Sequence, residues 1–258
     1  MDSLTNKSVI LTGAGTGIGR ITAKMLGEMG ANVFIVGRRE NLLIDAVKDI
    51  EEAGGNGAYI SADLEDGDAA ANVAEVAIKE FGNIQYLINN AGHSSKVRAL
   101  RYVDKEDWQS VFNVNVEGVY RLTQAILPNM IKNGEGTVVT VSSMAAINPG
   151  LMGGIPYSSA KAAVAAMMTA MRQELREYGI RSCTIYPAEV DTPILDNRPL
   201  PPDAKARSTM MQPEDIAEAI LLCMRMPQRT IVQDLVVSPT IMRDVSEDMK
   251  IAKNLKSK

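Results

Sequence analysis

Short apolar runs alternate with longer, helix-like stretches along the chain. The apolar runs are nearly continuous, which is typical of strands that are covered on both faces of a parallel sheet. They span residues 9–12, 32–37, 58–61, 86–89, 137–142, 181–186 and 231–237. The helical stretches span residues 17–29, 40–53, 68–81, 105–133, 157–178 and 213–226. Repeated strand–helix–strand units predict an α/β fold, a single-domain doubly wound parallel sheet of about seven strands with helices on both faces.

The segment from residue 188 to residue 212 interrupts this regularity. It is rich in proline, and a loop of that length in a compact domain is usually functional or disordered. We predict a substrate loop at about 188–212 within one domain that spans residues 1–258. The polar C-terminal stretch is compatible with a short helix, a subunit contact or a frayed tail.

The composition argues against several classes of protein. With 46% hydrophobic and 22% charged residues and a net charge of −4, nothing favours binding to nucleic acid or an anionic membrane. Cys183, Cys223 and the single histidine, His93, show no metal-ligand spacing and no disulfide framework. No secretory signal is visible, and no apolar run approaches the ~18 residues of a membrane span. We therefore expect a cytoplasmic protein with no metal, membrane or nucleic-acid partner.

A glycine-rich turn follows the first predicted strand and leads into an amphipathic helix. It reads Thr12-Gly13-Ala14-Gly15-Thr16-Gly17-Ile18-Gly19. Glycines let the backbone approach a pyrophosphate, and the helix N-terminus supplies free N–H groups and a favourable dipole. The spacing Gly-x-x-x-Gly-x-Gly differs from the Gly-x-Gly-x-x-Gly fingerprint, and a plain tight turn is the alternative interpretation. The position after the first strand of a parallel sheet favours a dinucleotide site.

With this turn, the chain resembles the short-chain dehydrogenase/reductase family over nearly its whole length. The other segments that carry the resemblance are Asn89-Asn90-Ala91-Gly92, Asn115, Ser142-Ser143, Tyr157-x-x-x-Lys161 and Pro187-x-x-Val190-x-Thr192. The last of them has Ala188 where the family usually has glycine. The resemblance implies a Rossmann-like fold, a nicotinamide cofactor and hydride transfer between a carbonyl and an alcohol carbon.

The tyrosine and lysine of this pattern also carry a physical argument. Residues four apart share one face of a helix, so Tyr157 and Lys161 can act at one site. A nearby cation favours phenolate, so Lys161 is expected to lower the pKa of Tyr157 from its usual ~10. That suits proton transfer to an oxygen that gains charge as hydride arrives. An exposed pair on a surface helix is the alternative.

The resemblance implies further catalytic roles. It implies that Ser143 polarises the carbonyl, although the interval to the tyrosine is one residue longer than usual and leaves Ser142 open. It also implies that Asn115 anchors a proton-relaying water near Lys161, with Asn113 as the alternative asparagine. The predicted catalytic residues are Asn115, Ser143, Tyr157 and Lys161.

The end of the second predicted strand indicates which cofactor binds. An NAD enzyme usually has an acidic residue there for the ribose 2′-hydroxyl, but this chain has Arg38 and Arg39. Guanidinium groups suit a 2′-phosphate, so we predict NADP(H), with Arg38 on the phosphate and Arg39 on adenine or in solvent. Ordinary surface charges are the alternative. The predicted cofactor contacts are Gly13, Thr16, Gly17, Ile18, Gly19, Arg38, Arg39, Asp63, Leu64, Asn89, Ala91, Gly92, Tyr157, Lys161, Pro187, Val190 and Thr192.

Three segments are expected to form the substrate pocket: residues 93–95, residues 144–155 and the loop after Pro187. The second is apolar and rich in methionine, which suits an adaptable wall. His93 either contacts substrate or cofactor or is structural. Charges in the loop are expected to be solvated, but an arginine that faced the pocket would suggest a carboxylate substrate. The loop charges are Glu189, Asp191, Arg198 and Arg207.

The stretch 157–178 is apolar on more than one side, which is typical of a buried helix. The resemblance implies that it and the stretch 105–133 pair across two-fold axes in a homo-oligomer, either a dimer or a tetramer. A simple core helix is the alternative.

Together these features predict an NADP(H)-dependent oxidoreductase that interconverts a carbonyl and a primary or secondary alcohol, with Tyr157 as general acid/base. The alternative is a non-catalytic NADP(H)-binding sensor on the same fold, because function depends on the site and not on the fold. A sensor would be expected to lack the tyrosine or the lysine, and this chain has both. The identity of the small-molecule substrate, the direction and the stereochemistry are left open.

Overall fold

The computed structural model describes residues 3–256 and contains one seven-stranded parallel sheet in that range. The order of its strands is β3-β2-β1-β4-β5-β6-β7. The strands are β1 (Ser8–Thr12), β2 (Asn32–Gly37), β3 (Asn56–Ser61), β4 (Tyr86–Asn89), β5 (Gly136–Val141), β6 (Ile180–Pro187) and β7 (Asp234–Val237). The predicted doubly wound sheet is therefore confirmed.

Helices cover both faces of the sheet. They are α1 (Gly17–Glu28), α2 (Glu40–Glu52), α3 (Ala69–Phe81), α4 (Lys105–Phe112), α5 (Gly118–Asn133), α6 (Met144–Ile147), α7 (Ile155–Leu175), α8 (Ala204–Arg207), α9 (Pro213–Arg225) and α10 (Ser246–Asn254). Alternation along each strand produces two apolar layers: Val9 and Leu11 pack with α1, α2 and α9, and Ile10 packs with α3, α5 and α7. The buried faces of the strands explain their continuous hydrophobicity.

The structure corrects several sequence-based boundaries. The stretch 105–133, predicted as one helix, is divided by a π-helical turn at Asn113–Glu117 between α4 and α5. Strand β7 begins at Asp234, later than the predicted residue 231. The C-terminal stretch forms the short helix α10, which was one of the alternatives for it.

The segment 188–212 is more ordered than its composition predicts. It contains a 3₁₀ turn at Pro193–Asn197 and the short helix α8, and a bridge joins Val190 to Met211. Within residues 3–256, none of the helices combines the length and apolar character that a bilayer-spanning helix needs.

The sheet reverses its strand order between β1 and β4, the next strand after β3 along the chain. Crevices at the carboxyl ends of such strands are where open α/β sheets bind ligands. The fold therefore places a site where the glycine turn after β1 meets the segment after β4.

Candidate active site

The glycine turn after β1 forms a cradle that side chains would fill. Gly13 and Gly17 have φ angles of 69° and 54°, a region that favours glycine. A Cβ atom on Gly19 would lie 2.3 Å from the carbonyl oxygen of Gly13. These contacts keep the backbone bare at the N-terminus of α1, as the approach of a phosphate requires.

Asn90, which follows β4, supports this turn. It was not among the cofactor contacts predicted from the sequence. Its Nδ2 donates to the carbonyl oxygens of Thr12 at 3.0 Å and Gly13 at 3.3 Å. The hydroxyl of Thr12 in turn accepts from the backbone amides of Asn90 and Ala91, both at 3.0 Å. The signal for Asn90 was its place in the Asn-Asn-Ala-Gly motif. The neighbouring Asn89 side chain donates to the hydroxyl of Thr123 at 3.2 Å.

Asn115 lies in the π-helical turn between α4 and α5 and is fully buried. Its Nδ2 donates to the carbonyl oxygens of His93 at 2.9 Å and Val111 at 2.8 Å, whereas its Oδ1 has no partner among residues 3–256. A Cβ atom on Gly92 would lie 2.6 Å from that Oδ1 and 3.2 Å from the Nζ of Lys161. An unpaired acceptor and an ammonium therefore face one small space beside Gly92, where a donor such as water would satisfy the amide oxygen.

Lys161 is held in place by the end of β5. Its side chain is 4% exposed, and its Nζ donates to the carbonyl oxygen of Val141 at 2.9 Å. The Nζ lies 5.6 Å from the centroid of the Tyr157 ring, one turn earlier on α7. Burial lowers the pKa of Lys161 to about 8.

The two serines at the end of β5 have different partners. The hydroxyl of Ser142 is buried and donates to the carbonyl oxygen of Lys161 at 2.9 Å. The hydroxyl of Ser143 caps α6 by accepting from the amide of Ala145 at 3.1 Å, and it also hydrogen-bonds to Tyr157. Of the two serines left open by the sequence, Ser143 is the one beside the tyrosine.

A comparison with known proteins identifies the family. The family model for short chain dehydrogenases matches residues 7–201. The chain belongs to the short-chain dehydrogenase/reductase family. It is an oxidoreductase.

Individual relatives resemble this short-chain dehydrogenase/reductase over most of their length. The 3-oxoacyl-(acyl-carrier-protein) reductase FabG of Thermotoga maritima is 33% identical over 229 residues, which cover 84% of this chain and 90% of the relative. A metagenomic short-chain oxidoreductase in complex with NADP has a TM-score of 0.80 at 28% identity, with 93% and 100% coverage. The closed form of a serine dehydrogenase complexed with NADP⁺ has a TM-score of 0.82 at 25% identity, with 93% and 97% coverage.

The hydroxyl of Tyr157 is harder to ionise than the sequence suggests. Burial raises the pKa of Tyr157, and this effect outweighs the hydrogen bond from Ser143 and the charges of Arg198 and Arg98, which lower it. The expectation of a lowered pKa is therefore wrong for the chain by itself. The phenol is protonated at neutral pH, so it is available as a proton donor.

Arg38 and Asp63 follow the ends of β2 and β3. Both side chains are exposed, and the Nη1 of Arg38 lies 3.8 Å from the Oδ2 of Asp63. Arg39 is also exposed, and the hydroxyl of Ser61 donates to the Arg38 carbonyl oxygen at 3.2 Å. Leu64 is buried. Neither guanidinium is buried within the protein, so both are accessible to a ligand.

The loop after β6 covers the glycine turn. A Cβ atom on Gly17 would lie 3.3 Å from the Cγ2 of Thr192, and Val190 is buried beside the bridge to Met211. Pro187 is the last residue of β6. The structure therefore brings the segment 187–192 onto the first turn of α1, which the sequence placed about 170 residues earlier.

The charges of the loop pair with one another, contrary to the expectation that they are solvated. Arg198 contacts Glu189 at 2.5 Å, and both are about 15% exposed. Arg207 contacts Asp191 and Asp196, each at 2.5 Å, and so is bound within its own loop. The loop is therefore held by ion pairs.

His93 is largely structural in its contacts. Its Nε2 lies 3.1 Å from the hydroxyl of Ser110, which donates to Glu65 at 3.0 Å. Burial lowers the pKa of His93, with a smaller opposing effect from the charge of Glu65. Its carbonyl oxygen accepts from Asn115, so the residue helps to position the buried amide.

Proposed function

We propose that this oxidoreductase interconverts a carbonyl and a primary or secondary alcohol with NADP(H), using Tyr157 as general acid/base. The observation that carries the proposal is the cluster beside Gly92. There the unpaired Oδ1 of Asn115 and the buried Nζ of Lys161 lie behind a tyrosine that is hydrogen-bonded to Ser143. A non-catalytic NADP(H) sensor would not need this constellation.

Two features support a cofactor site: the bare backbone of the glycine turn and the space beside Gly92. A Cβ atom on these glycines would fill either of them. Gly13, Gly17 and Gly19 would hold the pyrophosphate at the N-terminus of α1. Arg38 would bind the 2′-phosphate through a charge-assisted contact, which favours NADP(H) over NAD(H). Two similar solved structures are complexes with NADP or NADP⁺. The remaining proposed contacts are Thr16, Ile18, Arg39, Asp63, Leu64, Asn89, Ala91, Gly92, Tyr157, Lys161, Pro187, Val190 and Thr192.

The nicotinamide group, when bound, supplies or accepts the hydride. Ser143 donates a hydrogen bond to the substrate oxygen and stabilises the negative charge that develops there. Tyr157 donates its proton to the same oxygen during reduction and accepts it during oxidation. The ammonium of Lys161 stabilises the phenolate left on Tyr157. Asn115 holds a water through its free Oδ1, and this water returns a proton through Lys161.

Other features of the protein follow as proposals from the same resemblance. One domain carries both the cofactor and the substrate, with 188–212 as the substrate loop. Helices α4, α5 and α7 would pack against their counterparts in a partner subunit and so form a cytoplasmic homodimer or homotetramer. One relative is a reductase of 3-oxoacyl groups on the acyl carrier protein and another is a serine dehydrogenase, so the relatives do not agree on one substrate class.

The proposal is tested by following NADPH and NADH oxidation with a panel of ketones, aldehydes and oxo acids. In Tyr157→Phe we expect kcat to fall by about 10²–10⁴-fold, since the general acid is lost, while NADPH still binds, with its affinity reduced only by the loss of the Tyr157 contact. The matched control is Tyr178→Phe, because Tyr178 is 45% exposed in the turn after the same helix. NADPH binding without turnover of any panel member would favour the sensor, and equal turnover by Tyr157→Phe would contradict the assigned role.

A further inference from the structure

Arg98 lies between β4 and α4, and its side chain has no partner. It is 5% exposed, yet its guanidinium makes no hydrogen bond or ion pair to any residue in the range 3–256. Its Nε is buried with nothing to donate to. No sequence motif pointed to this residue.

An unpaired buried cation is unfavourable, because it loses its hydration without gaining a partner. Burial lowers the pKa of Arg98 to about 10, which still leaves the side chain charged at neutral pH. Arginines in such positions are normally paired with an anion. Arg98 therefore requires a negatively charged partner from outside the described residues.

The backbone of Arg98 is fastened to the start of the helix that carries Tyr157. Its carbonyl oxygen accepts from the amide of Ile155 at 3.0 Å. Gly154 has a φ of 80°, and a Cβ atom there would lie 2.8 Å from the Cγ of Arg98. The guanidinium is near enough for its charge to lower the pKa of Tyr157. Arg98 thus lies close to the proposed reaction centre and has a fixed stem.

Carboxylates also lie near Arg98, but they bind other arginines. Glu189 contacts Arg198 at 2.5 Å and receives two hydrogen bonds from Arg243, at 2.9 and 3.0 Å. Asp248 receives two hydrogen bonds from the same Arg243, at 2.8 and 2.9 Å. These four side chains carry no net charge together. The positive charge of Arg98 is therefore left in excess, although Asp248 raises its pKa slightly from a distance.

A small cleft opens in front of the guanidinium. Its volume is about 10 Å³, which is room for about one water, so only the charged end of a ligand could enter it. Both apolar and charged side chains line it. Its lining includes Arg98, Leu151, Met152, Arg198, Leu200 and Asp248.

We propose that Arg98 binds the carboxylate of the substrate, which is therefore a small hydroxy or oxo acid, with Arg198 as a second cationic neighbour. A guanidinium matches a carboxylate in shape and charge. This inference rests on the proposed function, since it names the substrate class of the same site.

The first test measures binding and does not depend on turnover. Butyrate and its neutral isostere butyramide are titrated calorimetrically into the protein, with and without saturating NADP⁺. We expect butyrate but not butyramide to bind, and we expect Arg98→Met to weaken butyrate binding by about 10-fold or more, as for loss of a hydrogen bond between charged groups. The matched control is Arg101→Met, because Arg101 is exposed and lies three residues away. Absence of butyrate binding, or equal binding by Arg98→Met, would overturn the inference.

The second test measures turnover of acetoacetate and of its methyl ester. Arg98→Met should raise the KM for acetoacetate about 10-fold or more with kcat little changed, and should leave the ester unaffected. Turnover of neutral ketones without butyrate binding would refute the carboxylate site and leave the proposed function standing. Arg98-dependent butyrate binding without any turnover would support the carboxylate site and contradict the proposed function.

A measurement of stability separates binding from packing. Methionine retains the stem of Arg98 but removes its unpaired charge, so the unfolding temperature of Arg98→Met should equal or exceed that of the wild type. A lower unfolding temperature together with unchanged butyrate binding would show that the guanidinium is structural, and the inference would be wrong.

Discussion

The proposed cofactor end and the proposed substrate end of the cleft are built in different ways. At the proposed cofactor end, the backbone is bare: Gly13 and Gly19 leave no space for a Cβ, Gly17 has a positive φ, and Asn90 bonds to main-chain oxygens. At the substrate end, charged side chains from distant segments hold one another. Glu189, for example, bonds to Arg243, 54 residues later in the chain.

The difference reflects what each end has to recognise. A pyrophosphate is bound by backbone N–H groups, so the requirement is the absence of side chains. A small substrate is distinguished by particular side chains, so that end depends on charge and shape. The first arrangement tolerates almost no substitution, whereas the second can change its specificity when one ion pair changes. Four predictions probe this contrast, from the largest expected effect to the smallest.

Arg243→Gln should destabilise the substrate end most. Arg243 is 12% exposed and bonds to both Glu189 and Asp248, so its loss leaves, among residues 3–256, Asp248 without an ion-pair partner and Glu189 with Arg198 alone. We expect the free energy of unfolding to fall by about 3 kcal/mol, measured by urea denaturation.

The control for Arg243 is an exposed ion pair in the same part of the chain. Lys250→Gln removes the pair with Glu247, whose side chains are mostly exposed, and should change stability by less than about 1 kcal/mol. Equal effects of the two variants would show that the network around Arg243 contributes no more than a surface pair.

Gly19→Ala should damage the cofactor end. The added Cβ would lie 2.3 Å from the Gly13 carbonyl oxygen, so the backbone itself must move. We expect a loss of about 2–3 kcal/mol in stability and a large loss of NADPH affinity, measured by thermal unfolding and fluorescence titration. Gly15→Ala is the matched control for stability, since its nearest neighbour would be the Cβ of Leu42 at 3.3 Å. Wild-type stability and NADPH affinity of Gly19→Ala would contradict the conclusion that the glycine turn has no space for a side chain at this position.

The buried ammonium of Lys161 should make stability depend on pH. Its pKa of about 8 in the folded protein lies below its ordinary value of 10.5, so between these values the unfolded chain binds the proton more tightly. Stability should therefore rise with pH in this window, by about 2 kcal/mol from this group between pH 7 and pH 9.5.

The contribution of Lys161 is isolated by comparing denaturation curves of the wild type and Lys161→Met across that pH range. The variant should lack the rise, whereas Lys132→Met, at an exposed lysine of α5, should retain it. The same pH profile in the wild type and Lys161→Met would contradict the assignment.

Arg38→Ser should have the smallest of these effects, because Arg38 is exposed. We expect the Kd for NADPH to rise about 10-fold through loss of the 2′-phosphate contact, with the Kd for NADH within about 2-fold of the wild type. Fluorescence titration measures both constants. Arg39→Ser should change the two cofactors alike, and a selective loss of NADPH in that variant would mean that the two arginines exchange roles.

Local patterns determined most of what concerns the cofactor end. Continuous apolar runs predicted the parallel sheet, because strands buried on both faces need no polar alternation. The glycine turn could be predicted because the backbone of the turn itself requires its glycines. The i, i+4 spacing of Tyr157 and Lys161 was readable because both residues lie on one helix. All of these requirements are met within one element or one turn.

Only the tertiary structure decided the rest. It placed Ser143 and not Ser142 beside Tyr157, and it buried Asn115 in a π-helical turn that residues 105–133 did not reveal. It also raised the pKa of Tyr157 through burial, which no spacing of residues conveys.

The substrate end shows the reason most clearly. The isolation of Arg98 depends on Glu189, Arg198, Arg243 and Asp248, which come together from two separate segments. Whether a charge is paired is a property of distances across the fold, and the sequence records only the order of residues along the chain. Glycine turns and helix spacings are local, so the sequence determined them; desolvation and charge pairing are not, so the packed structure did.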